Sequence, residues 1–503
     1  MIRNDMTTRN RTRTALALAV VALMLIVQSA AAKEIPAQLP DPDTKPPVTN
    51  KPVKVYILSG QSNMVGIGQI SGGSSRWGKQ FLDPVVSIYP GEYSSTADYN
   101  KMTSIETKKL PAFGGVKPTP FPGGGTAVVR GSIKMPTTGI YKFNAGYSNS
   151  SYNIMEVDGV EVYRKEVGKE AVRTAFKFIA GKKYPFKITF LTKAANGLGW
   201  LWRTDIPGTL DTVVKTDKKF PHLVDDKGNW TVRNDVWYKG VVTATANKWL
   251  TVGCGSGAST IGPELQFGHI MGYYHDEPVI IIKASQGNRS LGWDILPPGS
   301  ERFTFDGRTY AGYKDTPSSW IEGEPKKEVN WYAGKQYDDF VKGIHDVLDN
   351  FATHFPQYKD QGYEIAGFVW WQGHKDGNAA HASRYELNLV NLIKAYRTEF
   401  KAPKAPFIIG TIGFGGWKMA GPHLTVANAQ LAVSGDKGKY PEFAGNVLSV
   451  DTRDFWRSVE ESPSNQGYHY NRNAETYVLV GDALGRGMRQ LLGDTTTGGR
   501  RIR

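Results

Sequence analysis

The chain has 503 residues, of which 40% are hydrophobic and 12% aromatic, so it is long enough to form two or three globular domains. Its 61 Lys and Arg outnumber its 47 Asp and Glu and give a net charge of +14, but they are scattered and form no basic helix, so nucleic acid is not predicted as a partner. The single cysteine, Cys254, excludes an intrachain disulfide and a multi-cysteine metal site.

The first 32 residues have the pattern of a secretory signal. Four arginines precede an uncharged apolar run over 15–27, and small residues follow at 29–32. Because this run is short for a membrane span, we expect a signal peptide over 1–32 and a secreted or periplasmic protein without membrane contact after cleavage. The alternative is an uncleaved membrane anchor. Residues 33–53 are rich in Pro, Asp and Lys and predict a linker.

A buried strand and a serine turn come next. Residues 55–58, Val-Tyr-Ile-Leu, predict a short strand that ends before Gly60, where the backbone can turn sharply. Open α/β sheets place reactive groups at the carboxyl ends of their strands, so Ser62 is a candidate nucleophile. The turn is similar to the Gly-x-Ser-x-Gly nucleophile elbow, but Met64 stands in place of the second glycine. This difference argues against an ordinary α/β-hydrolase. The alternative is a serine-containing turn without a chemical role.

An all-β segment interrupts the α/β pattern. Short alternating stretches, separated by Gly, Pro and Asn, are typical of a β-sandwich, and Asp158-Gly159 predicts a hairpin turn because glycine readily adopts a positive φ. We therefore predict a sandwich domain inserted over 113–215. Its predicted strands include 126–133, 139–145, 153–157 and 184–191.

After this segment, strands alternate with amphipathic helices. The predicted strands are 249–253, 278–284, 367–372, 407–411 and 446–451. The predicted helices are 336–355, 383–400 and 473–492. This order indicates an α/β fold with a parallel sheet covered on both faces. The α/β domain is therefore predicted in two parts, 54–112 and 216–494, followed by a basic tail over 495–503.

Four blocks of the α/β parts resemble one enzyme family. They are Gly-Gln-Ser-Asn-Met at 60–64, Thr-Ile-Gly-Pro-Glu at 260–264, Trp-Trp-Gln-Gly at 370–373 and Gly-Tyr-His-Tyr-Asn-Arg-Asn-Ala-Glu at 467–475. Together they resemble SGNH-type esterases, in particular the sialate O-acetylesterase and acetylxylan esterase branch. The resemblance implies a three-layer, flavodoxin-like α/β fold. The inserted segment resembles the β-sandwich domain of the anthrax protective antigen.

The resemblance also implies roles for individual residues. A serine hydroxyl needs a base to take its proton, and the family places this histidine on a loop after the last strand, which points to His469 as the base for Ser62. The tetrahedral intermediate needs donors to its oxyanion. The implied donors are the N–H of Ser62, Gly262 and the side-chain amide of Gln372. The chemistry needs no metal and no cofactor.

The acid that orients His469 is a departure from the family pattern. Many SGNH enzymes carry Asp three residues before the histidine, whereas this chain has Gln466, which cannot stabilise an imidazolium by charge. We favour Asp454 as a replacement. The alternatives are Asp451, Glu460 or Glu461, and a Ser-His dyad without an acid.

The substrate is expected to contact residues beside the nucleophile and at the ends of neighbouring strands. These candidates are Gln61, Asn63, Gln286, Asn288, Trp293, His374 and Asp376. Relatives often carry glutamate where this chain has His374, so no carboxylate role is transferred to that position. Three tryptophans are candidates to stack on sugar rings, namely Trp293, Trp371 and Trp417.

The predicted function is removal of O-acetyl groups from a glycan or a sialic-acid-type sugar through an acyl-enzyme on Ser62. Its predicted partner is an acetylated carbohydrate. Two alternatives stay open: a non-catalytic glycan-binding protein with a degenerate cleft, and an esterase or thioesterase for longer acyl chains. The insertion is predicted either to contact polysaccharide or to have a structural role alone.

Overall fold

The computed structural model describes most of the chain. The described residues are 34–42, 46–72, 74–76, 80–91, 97–110, 125–135, 138–145, 152–166, 168–191, 199–203, 205–327 and 329–493. The predicted signal peptide over 1–32 and the basic tail over 495–503 lie outside them. None of the helices in these ranges is long and apolar enough to span a lipid bilayer.

The strands and helices are numbered in chain order. The strands before residue 210 are β1 Val53–Gly60, β2 Gly68–Gln69, β3 Ser74–Arg76, β4 Phe81–Tyr89, β5 Glu106–Lys109, β6 Thr126–Lys134, β7 Gly139–Ala145, β8 Asn153–Val157, β9 Val160–Lys165, β10 Val172–Arg173, β11 Phe176–Phe178, β12 Lys183–Leu191 and β13 Gly199–Arg203. The later strands are β14 Val236–Val241, β15 Asn247–Trp249, β16 Thr260–Ile261, β17 Val279–Ser285, β18 Phe303–Phe305, β19 Arg308–Tyr310, β20 Ser319–Trp320, β21 Tyr363–Trp371, β22 Phe407–Gly410 and β23 Val447–Val450. The α-helices are α1 Ser62–Val65, α2 Glu264–Tyr274, α3 Lys335–Asp349, α4 Phe351–His354, α5 Ala379–Glu399, α6 Gly421–Ala432 and α7 Ala474–Gly493.

The centre of the molecule is a seven-stranded sheet in the order β15-β14-β17-β1-β21-β22-β23. All neighbours pair in parallel except the edge strand β15, which is antiparallel to β14. Without β14 and β15, the strand order is 2-1-3-4-5, the flavodoxin-like order, and this confirms the predicted α/β fold class. In such sheets the ligand crevice lies at the carboxyl ends of the strands where the order reverses, here between β1 and β21.

Each face of this sheet packs against its own helices. Because side chains alternate along a strand, Val55 and Ile57 of β1 join the core that contains residues of α3, α5 and α6. Tyr56 and Leu58 join the opposite core, with residues of α2 and α7. Every residue of β17 is buried, as the continuous apolar run predicts. The result is a three-layer arrangement.

A separate antiparallel region lies between β2 and β14 in the chain. It contains a seven-stranded sheet in the order β10-β9-β8-β12-β6-β4-β5 and a four-stranded sheet in the order β11-β7-β13-β3. Residues from both sheets share one apolar core. The hairpin between β8 and β9 turns at Asp158 and Gly159, with φ angles of 50° and 78°, as the Asp-Gly pair predicts.

This region begins earlier than the sequence indicates. The sequence assigns residues 54–112 to the first α/β part, but β4 and β5 pair within the antiparallel sheet and β3 pairs with β13. The strand pattern of β4 is obscured by an irregularity between Leu82 and Val85, where Asp83 has a φ of 50°.

Three further details differ from the predictions. The strand predicted at 249–253 ends at Trp249, whose partner across the edge pair is Trp237. The helices α2 and α6 and the strand β14 are not among the predicted elements. The predicted linker packs on the protein, because Leu39 is buried and Arg486 of α7 donates to the carbonyl oxygen of Ile35 at 3.0 Å.

Candidate active site

Ser62 opens the first turn after the strand at the centre of the sheet. β1 ends at Gly60, where an added Cβ would lie 2.1 Å from the carbonyl oxygen of Trp371, so the close approach of the two strands requires glycine. α1 then begins with Ser62, whose side chain is half-buried. The local sequence therefore puts a hydroxyl at the edge of the sheet where α/β folds bind ligands.

His469 approaches Ser62 from the loop before α7. Its Nε2 lies 3.1 Å from Ser62 Oγ, within hydrogen-bonding distance. The loop follows an unusual backbone path, since Tyr470, Asn471 and Arg472 have φ angles of 49°, 54° and 60°. The fold thus brings together the two residues that the motifs assign as nucleophile and base.

Two residues predicted to contact substrate instead support the histidine loop. Trp371 is buried and stacks on Tyr470, with ring centroids 5.2 Å apart. Asn63 is also buried. Its Nδ2 donates to the carbonyl oxygen of Tyr468 at 3.2 Å, and its Oδ1 accepts from the hydroxyl of Tyr477 at 2.7 Å. Neither side chain is free for a sugar, because both are already used in packing.

The acids favoured for orienting His469 are engaged elsewhere. Asp454 Oδ1 accepts from the indole N–H of Trp417 at 2.5 Å. Asp451 is paired with Arg453, whose Nε donates to it at 2.9 Å. The structure therefore does not bring Asp454 or Asp451 to His469.

The remaining candidate acids do not fill this role either. Glu461 accepts from the backbone N–H of Ser458 at 3.0 Å, and Glu460 is exposed. Within the described ranges, no Asp or Glu forms an ion pair with His469. With Gln466 at the usual acid position, the arrangement is a Ser-His pair, one of the alternatives that the sequence leaves open.

His469 is uncharged in this environment. Its pKa is lowered to about 4, first by burial and then by the nearby His374 and Arg472. A neutral imidazole can accept a proton at Nε2, the atom that faces Ser62. The pair is therefore suited to general-base activation of the hydroxyl at neutral pH.

Gln372 was predicted to donate to the oxyanion, but its amide is saturated inside the protein. Its Nε2 donates to the Arg289 carbonyl at 2.9 Å, to Asp376 Oδ2 at 2.6 Å and to Gln61 Oε1 at 3.2 Å. Its Oε1 accepts from the Tyr385 hydroxyl at 2.9 Å. Gln372 thus fixes the end of β21 and has no hydrogen to spare for a substrate.

Asp376 is likewise a buried structural group and not a substrate contact. Its two oxygens accept from the backbone N–H groups of Leu291 at 2.8 Å and Gly292 at 2.7 Å, as well as from Gln372. A buried carboxylate needs such donors. Asp376 therefore ties the loop after β17 to the loop after β21.

Gly262 was also predicted as an oxyanion donor. Its N–H donates to Glu264 Oε1 at 2.9 Å and is not available. Gly287 is better placed, since an added Cβ there would lie 3.8 Å from Ser62 Cβ, and in the described chain its N–H donates no hydrogen bond. The sequence signal was present: Gly287 follows β17, which pairs directly with β1 up to Gly60.

The side chain of Gln61, the neighbour of Ser62 in the chain, offers a further donor. Its Oε1 accepts from Gln372 Nε2, from the N–H of Gly373 at 3.3 Å and from the N–H of Lys375 at 3.2 Å. Because three N–H groups donate to this atom, it must be the oxygen of the Gln61 amide. In the described ranges, no residue accepts a hydrogen bond from Gln61 Nε2. The N–H of Ser62, the N–H of Gly287 and Gln61 Nε2 are therefore candidate donors to an oxyanion beside Ser62.

The other residues predicted to contact substrate differ in how accessible their side chains are. Gln286 is half-buried and Asn288 exposed on the turn after β17, so both are accessible. Trp293 packs against the small core that contains Leu296 and Trp320. His374 lines a small cavity together with Gln61 and faces the histidine loop, where its ring centroid lies 5.6 Å from that of Tyr468.

Two further aromatic rings beside His374 were not predicted. Phe414 and His423 lie beside His374, with ring centroids 5.3 Å from it in each case. They come from the loop after β22 and from α6, elements whose side-chain contacts are not readable from local sequence. In the described ranges, no three His, Cys, Asp or Glu side chains converge as a metal site would require.

Residues 244–476 match the family model described as carbohydrate esterase, sialic acid-specific acetylesterase. The matched segment includes His469 but begins after Ser62. No curated protein matches the chain at a significant level.

Solved structures with similarity to the chain include two carbohydrate esterases. A carbohydrate acetylesterase from Xanthomonas citri is 11% identical, with 72% of each chain covered and a TM-score of 0.31. A family two carbohydrate esterase from Cellvibrio japonicus is 8% identical, covers 74% of this chain and 91% of its own, and has a TM-score of 0.26. A protein from Arabidopsis thaliana is 15% identical over 52% of this chain and 87% of its own, with a TM-score of 0.32.

Proposed function

We propose that the protein is an exported serine esterase that removes O-acetyl groups from a glycan or a sialic-acid-type sugar. The match of residues 244–476 to the family model described as carbohydrate esterase, sialic acid-specific acetylesterase, supports this proposal. The observation that carries this proposal is the 3.1 Å contact between Ser62 Oγ and His469 Nε2. Ser62 lies outside the matched segment, so this contact joins that segment, through His469, to the serine in the turn after β1.

In the first half of the reaction, His469 Nε2 takes the proton of Ser62 as its Oγ attacks the acetyl carbonyl carbon. The carbonyl oxygen becomes an oxyanion, which the N–H of Ser62, the N–H of Gly287 and Gln61 Nε2 stabilise. When the intermediate collapses, the C–O bond to the sugar breaks. His469 gives its proton to the departing sugar oxygen, and acetyl-Ser62 remains.

In the second half, His469 takes a proton from water, whose oxygen attacks the acetyl carbon. The C–O bond to Ser62 then breaks, and His469 returns the proton to Ser62 Oγ. Acetic acid leaves and loses its remaining proton to solvent. No carboxylate is needed for the proton balance of either half. His469 acts as half of a dyad, because Asp451 and Asp454 are occupied by Arg453 and Trp417.

The test compares three variants on p-nitrophenyl acetate. Ser62→Ala and His469→Gln should each lower kcat/KM by about 10⁴-fold or more, because each removes a reacting group. Asp454→Asn keeps an acceptor for the Trp417 N–H and should lower kcat/KM by less than about tenfold. Neutralising the aspartate of a Ser-His-Asp triad would instead lower kcat/KM by roughly 10⁴-fold. Retained activity in Ser62→Ala would contradict the proposed nucleophile.

A second measurement addresses the substrate. p-Nitrophenyl esters of increasing chain length should give the highest kcat/KM with acetyl, and acetate should be released from at least one member of a panel of acetylated glycans. Preference for octanoyl would support the longer-chain esterase. No turnover of any ester would support a glycan-binding protein with a degenerate cleft.

A further inference from the structure

Among the residues that the structure describes, Trp417 is the most exposed large aromatic residue. Its side chain lies on the short turn Gly416–Lys418 between β22 and α6 and is 64% exposed. Tryptophan is usually mostly buried, because its large apolar surface is costly to leave in water. An indole kept in solvent at the carboxyl edge of the sheet therefore points to a binding role.

The indole is held in place by polar contacts on one side. Its N–H donates to Asp454 Oδ1 at 2.5 Å, and the guanidinium of Arg453 lies 4.0 Å from the ring centroid. Arg453 is itself fixed, since its Nε donates to both oxygens of Asp451 at 2.9 and 3.0 Å. One face and one edge of the ring are therefore covered, and the exposed area is on the opposite face.

This position is continuous with the rim of the Ser62 cleft. Phe414 precedes Trp417 by three residues, so their Cα atoms are at most about 11 Å apart. The Phe414 ring lies 5.3 Å from that of His374, which in turn lies 5.6 Å from Tyr468, the neighbour of His469 in the chain. Trp417 therefore lies within about 11 Å, Cα to Cα, of a residue that lines the small cavity beside His374.

We propose that Trp417 forms the platform of a saccharide subsite, on which a sugar unit next to the acetylated one stacks. This subsite rests on the proposed function. The C–H-rich face of a pyranose carries slight positive charge and fits the negative face of an indole. Asp454 lies at the ring edge, where its Oδ2, which accepts no hydrogen bond in the described ranges, could accept one from a sugar hydroxyl. The Arg453 guanidinium supports the ring from the opposite face. The subsite thus favours oligomeric over single-sugar substrates.

The test uses partially acetylated xylotetraose and p-nitrophenyl acetate as probes. In Trp417→Ala, the ratio of kcat/KM for the oligosaccharide to that for the small ester should fall about tenfold, through a higher KM. Trp417→Phe keeps an aromatic face and should retain most of the ratio. Tyr363→Ala is the matched control, because Tyr363 is a 38% exposed aromatic at the opposite end of the sheet, and its ratio should not change.

A binding experiment separates this subsite from the catalytic proposal. The Ser62→Ala variant should bind acetylated xylotetraose by calorimetry, and adding Trp417→Ala should raise the Kd about tenfold, whether or not the wild type hydrolyses esters. An unchanged Kd together with an unchanged ratio would overturn the subsite. Failure of the wild type to hydrolyse any acetyl ester, with the Kd effect intact, would overturn the proposed function alone.

Discussion

The chemistry of single residues in this site is set by burial more than by charge. His469 is half-buried on the loop before α7 and lies near the cationic side chain of Arg472, and no carboxylate in the described chain pairs with it. In a Ser-His-Asp triad the carboxylate favours the imidazolium. Here burial and the neighbouring His374 and Arg472 disfavour the imidazolium and lower the pKa of His469 to about 4.

This pKa predicts an acid-tolerant pH profile. The base must be unprotonated, so kcat/KM for p-nitrophenyl acetate should stay on its plateau from neutral pH down to about pH 5 and fall to half near pH 4. Protonation at a normal histidine pKa would instead halve kcat/KM near 6.5. Circular dichroism over the same pH range is the control for unfolding. A midpoint between 6 and 7 in the folded enzyme would contradict the dyad environment.

At the scale of single residues, the sequence predicted the contact between Ser62 and His469 but not the contacts around it. Ser62 and His469 stand in local motifs that keep their neighbours in the chain, so their pairing could be anticipated. Gly262, Gln372 and Asp454 were misassigned because their hydrogen-bond partners depend on contacts within the folded protein. Gln372, for example, is saturated by groups from four different chain segments.

At the scale of elements, a buried ion pair fixes the turn that carries Ser62. Lys283 stands in the middle of the apolar strand β17 with no side-chain exposure, and Glu264 at the start of α2 is equally buried. Lys283 Nζ donates to Glu264 at 2.9 Å and to the carbonyl oxygens of Val65 at 2.8 Å and Cys254 at 2.9 Å. All three donors of the ammonium are thereby satisfied. The bond to Val65 connects β17 to the end of α1.

Breaking this pair should be costly. In Lys283→Met, Glu264 stays buried without its partner, so the free energy of unfolding should fall by about 3–5 kcal/mol. Urea denaturation followed by tryptophan fluorescence measures this change. Lys342→Met is the matched control, because Lys342 and Asp346 form an exposed i,i+4 pair with side chains 74% and 61% exposed, and pairs of this kind contribute about 0.3–0.5 kcal/mol. A loss below about 1 kcal/mol in Lys283→Met would show that the buried pair is replaceable.

Element prediction succeeded where local pattern and burial agree. β17 is an uninterrupted apolar run and was predicted within a residue at each end, and α5 and α7 were placed to within a few residues. By contrast, α2 is buried along most of its length, so it lacks the polar face that marks an amphipathic helix. β4 was missed because its strand pattern is broken at Asp83.

At the scale of the whole molecule, the antiparallel region enters and leaves the α/β part at neighbouring points, so the topology allows its deletion. The chain leaves the α/β part after β2 and returns close to the same point, since the N–H of Asp211 donates to the Ile70 carbonyl at 2.8 Å. The return segment also contacts the start of α7, where the N–H of Ala474 donates to the Gly208 carbonyl at 2.7 Å. Segments with adjacent ends are tolerated as insertions. We propose that this region extends the surface for a polymeric substrate and supplies no reacting group.

Replacing residues 73–204 with a short Gly/Ser linker tests this proposal. The linker joins two segments that lie side by side at Ile70 and Asp211, and the residues around Gly208 that contact α7 are kept. Because Ser62, Gly287 and His469 all lie outside the deletion, kcat/KM for p-nitrophenyl acetate should remain within about tenfold of the wild type. Acetate release from an acetylated polysaccharide should fall much further, since the extended surface is gone. The Trp417→Ala variant of the full chain is a useful comparison, because it should weaken polymer recognition while the antiparallel region stays in place. If the deletion variant folds, as judged by cooperative urea unfolding, but loses both activities to the same extent, the antiparallel region must contribute to the catalytic site itself.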